Sequence, residues 1–152
     1  MLGQSCASGQ YGYSLEYPDG WHAELSFPGW QCALFDPNPF TVTANSEIPR
    51  VAVVVSVAEF SFNSSVAQYT DPATSQLVSK TDLTIDGQPA AAVEIAMTQE
   101  VTPLPAGTMR YAVLVDLGLK TLVIETNSVA ADDYAIDKHV VLGMAESLTR
   151  SQ

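Results

Sequence analysis

Residues 11–21 read Tyr-Gly-Tyr-Ser-Leu-Glu-Tyr-Pro-Asp-Gly-Trp, with an apolar or aromatic side chain at every second position from Tyr11 to Tyr17. Such alternation is typical of a β-strand, because successive side chains point to opposite faces of a sheet. The same period runs through Trp21–Phe27. Between the two runs, Pro18-Asp19-Gly20 supplies a preset φ and a residue that tolerates positive φ. The stretch therefore predicts a β-hairpin whose aromatic side chains mostly fill a core face.

Further strands follow outward from this hairpin. The apolar and β-branched runs that predict them are Gln31–Phe35, Val51–Phe60, Val78–Ile85, Ala90–Thr98, Met109–Leu117 and Lys120–Thr126. Val51–Phe60 is apolar on both sides, which indicates a central strand covered on both faces. Asp86-Gly87 and Gly118 each separate two runs and predict two more hairpins. We expect about eight strands, mostly antiparallel.

Two helices complete the predicted architecture. A short one is expected at Val66–Tyr69, capped by oxygens of residues 63–65. After Ala131 the apolar period changes to that of a helix. Its predicted stripe is Ile136, Val140, Val141, Met144, Ala145 and Leu148. Asp132 and Asp133 suit the positive start of this helix and Arg150 its negative end. The fold class is therefore α+β, a mostly antiparallel sheet with a short middle helix and a C-terminal amphipathic helix over one face.

Composition restricts the class of protein. The chain has 152 residues, 47% of them hydrophobic and 15% charged, which is typical of one folded core rather than a disordered chain. The chain has six Lys+Arg and 17 Asp+Glu, which gives a formal net charge of -11. Such a surface repels phosphate backbones and anionic membranes, so we expect no nucleic-acid partner. The longest aliphatic run, residues 51–55, is strand-sized, so we expect a soluble chain without a transmembrane segment.

Cys6 and Cys32 are the only cysteines, and neither lies in a CxxC motif or a Cys/His cluster. Paired, they would tether the N-terminal segment and stabilise the fold by about 3.5 kcal/mol through loop entropy. Two free thiols in a cytosolic protein are the alternative. A lipid anchor on Cys6 is a third, although Leu2-Gly3-Gln4-Ser5 is a poor lipobox. Residues 1–5 do not form an intact secretory signal, so the compartment is inferred from the cysteines.

Motifs that carry chemistry are missing from the sequence. It contains no HExxH, GxSxG, Walker A, GxGxxG or EF-hand pattern. His22 and His139 are the only histidines, and each is interpreted as a surface or locally bonded side chain. We therefore assign no catalytic residue, no cofactor-binding residue and no metal ligand. A weak calcium or manganese site built from distant loops is the alternative, because hard cations take oxygen ligands.

Trp30 breaks the period-two pattern of the aromatic residues that precede it. One interpretation is that it packs on the core or covers the cysteines. The other is that it lines an exposed groove and contacts a ligand, because indole offers an apolar face with one donor.

The opening aromatic-Gly-aromatic stretch followed by Tyr17-Pro18-Asp19-Gly20-Trp21 resembles the PsbP-like family. This family of α/β/α sandwiches includes the photosystem PsbP proteins, the Ran-binding Mog protein and actinobacterial LpqN-type lipoproteins. The order of predicted elements resembles that of the family from about Tyr11 to Leu148. Beyond the opening stretch, the resemblance rests on this pattern alone. The metal-binding histidines of some photosynthetic members have no match here, and nothing supports a Ran-type partner.

The resemblance implies a non-enzymatic binding or assembly module of an exported bacterial protein, extracytoplasmic and either secreted or attached to the cell envelope. We expect residues 1–8 to form an N-terminal segment tethered by Cys6, and residues 9–152 to form a single domain. The partner is a protein or a small apolar ligand. A carrier of a small apolar ligand or lipid is the alternative, and an enzyme with an unrecognised site is the third hypothesis.

Overall fold

The computed structural model describes residues 2–27, 29–43, 49–101, 104–131 and 133–150. These residues form ten strands and two helices. The strands are β1 Leu2–Ser8, β2 Tyr13–Pro18, β3 His22–Ala23, β4 Leu34–Asp36, β5 Val53–Ala58, β6 Ser75–Ile85, β7 Gln88–Met97, β8 Met109–Asp116, β9 Thr121–Asn127 and β10 Thr149–Arg150. The helices are α1 Phe62–Tyr69 and α2 Tyr134–Glu146.

The strands form two sheets. The large sheet has seven strands in the order β3-β4-β5-β9-β8-β7-β6, and the small sheet has three in the order β1-β2-β10. Every pair of neighbours is antiparallel. The predicted mostly antiparallel sheet is therefore confirmed.

Two of the three predicted hairpins form as the turn residues indicate. Asp86 and Gly87 have φ of 51° and 77°, and they join β6 to β7 with Ile85 opposite Gln88. Positive φ at both central residues gives a turn whose twist matches the flanking strands. The connection between β8 and β9 has Gly118 at φ 102°.

The first predicted hairpin is wrong. The turn at Pro18-Asp19-Gly20 forms, with Trp21 N donating to Pro18 O at 3.2 Å. However, β2 pairs with β1 and β10, whereas β3 pairs with β4. The chain leaves one sheet at this turn and enters the other, so the turn is a corner between sheets.

The two faces of the large sheet carry separate apolar clusters. On one face, residues of β5, β7, β8 and β9 pack against the small sheet and α2. On the other face, alternate residues of β7, β8 and β9 pack against Phe62, Val66 and Tyr69 of α1. The sheet is thus covered by a helix on each side, which confirms the predicted α/β/α arrangement. The outer face of β5 is less covered than predicted, because Ser56 is exposed.

Both helices begin at a side-chain cap. Ser61 caps α1 by accepting from Ser64 N, so the helix starts earlier than predicted. Asp133 caps α2 by accepting from Ile136 N, as predicted, and Asp132 lies outside the described residues. The predicted stripe is wrong at its first position, because Ile136 is 59% exposed and Asp137 is buried instead. Arg150 lies in β10 beyond the helix, so it is not in the last turn of α2.

Neither helix of the described chain combines the length and apolar character needed to cross a bilayer.

The small sheet is held to the large one by three contacts with the segment 32–35. Cys6 is disulfide-bonded to Cys32, with 5.6 Å between their Cα atoms. Tyr13 Oη donates to Cys32 O at 2.7 Å, and the rings of Tyr17 and Phe35 lie 5.2 Å apart. This seam between the sheets forms the setting of the candidate site.

Candidate functional site

A surface cleft of about 340 Å³ lies along the seam, open to solvent on one side. We name it the seam cleft. Its lining residues come from the β1–β2 connection, the turn before β4, and β5: Gln10, Tyr11, Tyr13, Gly29, Trp30, Gln31, Ala33, Val55, Ser56 and Val57. The lining thus combines aromatic and aliphatic side chains with the amides of two glutamines and the hydroxyls of Ser56 and the tyrosines.

Tyr11 forms one wall of the seam cleft, on the tight connection between β1 and β2. Ser8 accepts from Gly12 N at 2.9 Å through its carbonyl and from Tyr11 N at 3.3 Å through its hydroxyl. Gly12 has φ of 69°, which glycine adopts without strain. These bonds hold the Tyr11 side chain at the rim, where it is 40% exposed. The period-two aromatics are predicted mostly to fill the core; Tyr13 and Tyr17 do so, whereas Tyr11 is exposed.

Trp30 forms a second part of the cleft wall, in a turn braced by the backbone. Its N–H donates to Phe27 O at 3.1 Å, and its carbonyl accepts from Ala33 N at 3.2 Å. Glu24 closes the adjoining loop by accepting from Ser26 and Phe27. Partial burial acts to raise the pKa of Glu24, but these hydrogen bonds outweigh it and hold the pKa below its ordinary value. The carboxylate is thus kept ionised as a structural brace.

The disulfide joins the two walls. Cys6 lies on the strand that leads to Tyr11, and Cys32 follows Trp30 by two residues. Cys32 is fully buried with φ of 59°, a conformation that a non-glycine residue keeps only when its surroundings impose it. Those surroundings are the disulfide, the bond from Tyr13 Oη to Cys32 O, and the bond from Cys32 N to Glu24 O at 2.8 Å. These contacts therefore fix the end of the turn that carries Trp30 to the small sheet.

A second depression, of about 230 Å³, continues from the seam cleft and shares Gln10, Tyr11, Tyr13 and Val57 with it. It adds Gly12, Leu117, Lys120 and Arg150 to the lining. We name this part the basic end. Lys120 Nζ lies 3.4 Å from Glu59 Oε2, and both side chains are largely exposed. The seam cleft and the basic end together thus run from an aromatic region to one with two cations.

Two polar clusters lie elsewhere, and each fixes a helix to the sheet. Buried Glu94 of β7 accepts from Tyr134 Oη at 2.9 Å and from Lys138 Nζ at 3.0 Å, both on α2. Burial raises the pKa of Tyr134, and its hydrogen bond to Glu94 raises it further, so the phenol remains a donor at neutral pH.

The other cluster lies under α1. Arg110 Nη2 donates to Glu125 Oε2 at 2.8 Å, and its guanidinium lies 4.8 Å from the centroid of the Tyr69 ring. Burial, reinforced by Glu125, raises the pKa of Tyr69. An ion pair with a stacked aromatic ring is a stable structural arrangement.

The two histidines are exposed and lie on β3 and α2. Within the described ranges, no group of three or more His, Cys, Asp or Glu side chains is placed to hold a metal ion.

The predicted site residues lie close together along the seam. Cys6 and Cys32 form the predicted disulfide. Trp30 lines the seam cleft, and its contact with a ligand stays a prediction. Sequence reasoning missed Lys120, because nothing local distinguishes it from other surface cations, and it interpreted Arg150 only as a cation at the end of the helix. Two sequence signals point to the residues that line the cleft. They are Gly9 and Gly12 on either side of Tyr11, and the break in alternation at Trp30.

An antiparallel sheet with a helix on each face is the architecture of the PsbP-like fold. The chain is similar to the solution structure of cyanobacterial PsbP (CyanoP) from Synechocystis sp. PCC 6803, with a TM-score of 0.53 over 97% of this chain and 91% of that chain. The two sequences are 16% identical, so the likeness shows the fold and not the function. No family model and no curated protein matches the sequence. The resemblance inferred from residues 11–21 is thus confirmed for the fold.

Proposed function

We propose that this protein is a non-enzymatic binding module, exported from a bacterial cell, which recognises its partner through the seam cleft. The observation that carries the proposal is that Tyr11 and Trp30, two aromatic side chains from separate turns of the chain, line one concave surface. Aromatic side chains with a polar tip provide large contact area at low entropic cost, and they are enriched at binding surfaces.

The chemistry of the lining supports binding rather than catalysis. Amides, aliphatic groups, a hydroxyl and aromatic rings make up the described lining of the seam cleft. Its buried phenol, Tyr13, has a pKa raised above the ordinary value by burial, and it donates to a backbone carbonyl. Such a group stays protonated at neutral pH and orients structure, whereas a general base needs a pKa near the working pH.

A carrier of a small apolar ligand is the second candidate. The volume of about 340 Å³ lies within the range of about 300–1,000 Å³ found for small-molecule sites. The cleft is open along one side, so such a carrier holds its ligand at the surface and not inside the fold.

Crosslinking in the host tests the binding role. With p-benzoylphenylalanine in place of Tyr11, we expect a defined crosslinked species that disappears when Trp30→Ala is added, because Trp30 lines the same cleft and contacts the same partner. The matched control carries the same crosslinker in place of Ile136, an exposed apolar residue on α2. Equal products from positions 11 and 136, or a product that persists with Trp30→Ala, would contradict the proposal.

Export is supported by the disulfide, because such bonds persist in oxidising compartments and are rare in the cytosol. We expect protein from host cells quenched with acid and treated with N-ethylmaleimide to carry no adduct and to have the mass of the oxidised chain. Reduction before alkylation serves as the control and should add two adducts. Alkylation of both cysteines without reduction would place the protein in a reducing compartment.

A further inference from the structure

We propose that the ligand of the seam cleft is a small amphiphile with a carboxylate head, which lies at Lys120 and Arg150 while its apolar part contacts Tyr11 and Trp30. This inference rests on the proposed binding function and adds the chemical class of the ligand.

The charge distribution argues for the anionic head. The chain has six basic side chains against 17 acidic ones. Three basic side chains are engaged in ion pairs of 3.0 Å or shorter, namely Lys80 with Asp82, Arg110 with Glu125, and Lys138 with Glu94. Two of the remaining three line the basic end. This concentration of cations around one concave surface matches an anion.

Both cations are available to a ligand. The pair between Lys120 and Glu59 is 3.4 Å long and exposed, and exposed pairs contribute only about 0–1 kcal/mol. Lys120 therefore exchanges Glu59 for a ligand carboxylate at little cost. The Arg150 backbone N–H donates to Asp86 at 3.0 Å, while its guanidinium forms no ion pair within the described part of the chain. A free guanidinium binds a carboxylate through two parallel hydrogen bonds.

The apolar part is matched by the other end of the seam cleft. Tyr11 and Trp30 form its walls, and Val55 and Val57 contribute from β5. The volume of about 340 Å³ lies within the range of about 300–1,000 Å³ that small-molecule sites occupy. A small single-chain molecule therefore fits the concave site better than a protein surface does.

Titration calorimetry with three twelve-carbon probes tests the head group, with the two ionic probes kept below their micellar concentrations and the alcohol below its solubility. The probes are dodecanoate, dodecyltrimethylammonium and dodecanol. A net charge of -11 makes non-specific adsorption favour the cation. Tighter binding of dodecanoate is therefore diagnostic of local cations. We expect the affinity for dodecanoate to exceed the affinity for dodecyltrimethylammonium by at least tenfold.

Two variants locate the effect. Lys120→Gln with Arg150→Gln is expected to weaken dodecanoate binding tenfold or more and to leave dodecanol binding unchanged. Arg50→Gln with Lys80→Gln makes the same change in net charge away from the cleft and should leave the preference intact. Circular dichroism verifies that each variant is folded.

The outcomes separate this inference from the binding function. Equal affinity for the anionic and cationic probes, both lost in Tyr11→Ala with Trp30→Ala, would overturn the head-group inference and leave the cleft as the binding site. Equal weakening by the two charge variants would also overturn it. If no probe binds while the crosslink at position 11 persists, the occupant is a protein and the inference is wrong.

Discussion

Replacing Phe35 by alanine is expected to lower the free energy of unfolding by about 3–5 kcal/mol, the range for deleting a fully buried phenylalanine. Phe35 of β4 is 0% exposed, and its ring lies 5.2 Å from that of Tyr17 on β2. The substitution removes apolar burial and leaves a cavity where the two sheets meet. Urea unfolding followed by far-UV circular dichroism measures the loss.

The matched control is Phe60→Ala, which makes the same chemical change at a side chain that is 52% exposed. We expect it to lower the free energy of unfolding by less than about 1.5 kcal/mol, because about half of this side chain is already in contact with water and little buried apolar area is lost. A Phe35→Ala loss no larger than that of Phe60→Ala would show that the two sheets are not held together by this contact.

Removing the disulfide is the second large change. Cys6→Ala with Cys32→Ala is expected to lower the free energy of unfolding by about 3.5 kcal/mol, because the unfolded chain regains the entropy of an open loop. Alanine is chosen at position 32 because the cysteine is fully buried and a serine hydroxyl would need a partner there. Urea unfolding without reductant measures the difference.

Reductant provides the internal control for this experiment. Dithiothreitol should destabilise the wild-type protein by a similar amount and leave the double variant unchanged. Wild-type protein that is equally stable with both thiols free would contradict the prediction. Because the disulfide joins the walls of the seam cleft, the double variant should also bind dodecanoate more weakly.

Local chemistry made much of the fold predictable. The β6–β7 hairpin follows from Asp86 and Gly87, since the positive φ that this turn requires is available to few residues. The start of α2 follows from Asp133, whose carboxylate satisfies an otherwise unpaired helix N–H. In each case the cause lies within a few residues of the structure that it produces.

The hydrophobic period predicted the wrong buried residue where a polar side chain occupies an inward position. On α2, Asp137 takes the inward position and Ile136 the outward one, although hydrophobicity favours the reverse. Hydrophobicity judged from residue type alone therefore predicts the wrong rotation of α2 about its axis, because packing turns Asp137 and not Ile136 toward the core. The same limit applies to Tyr11, which continues the alternation of Tyr13 and Tyr17 although the strand begins only at Tyr13.

The sequence by itself determined the class of fold, most of the strands, the two hairpins with specific turn residues, and the cysteines available for a disulfide. Only the tertiary structure decided which strands pair beside the Pro18-Asp19-Gly20 turn, because β2 joins β1 and β10 from opposite ends of the chain. It alone brought Tyr11, Trp30, Lys120 and Arg150 to one cleft. Turn and cap signals act over a few residues, whereas a site between two sheets depends on contacts between residues more than a hundred positions apart.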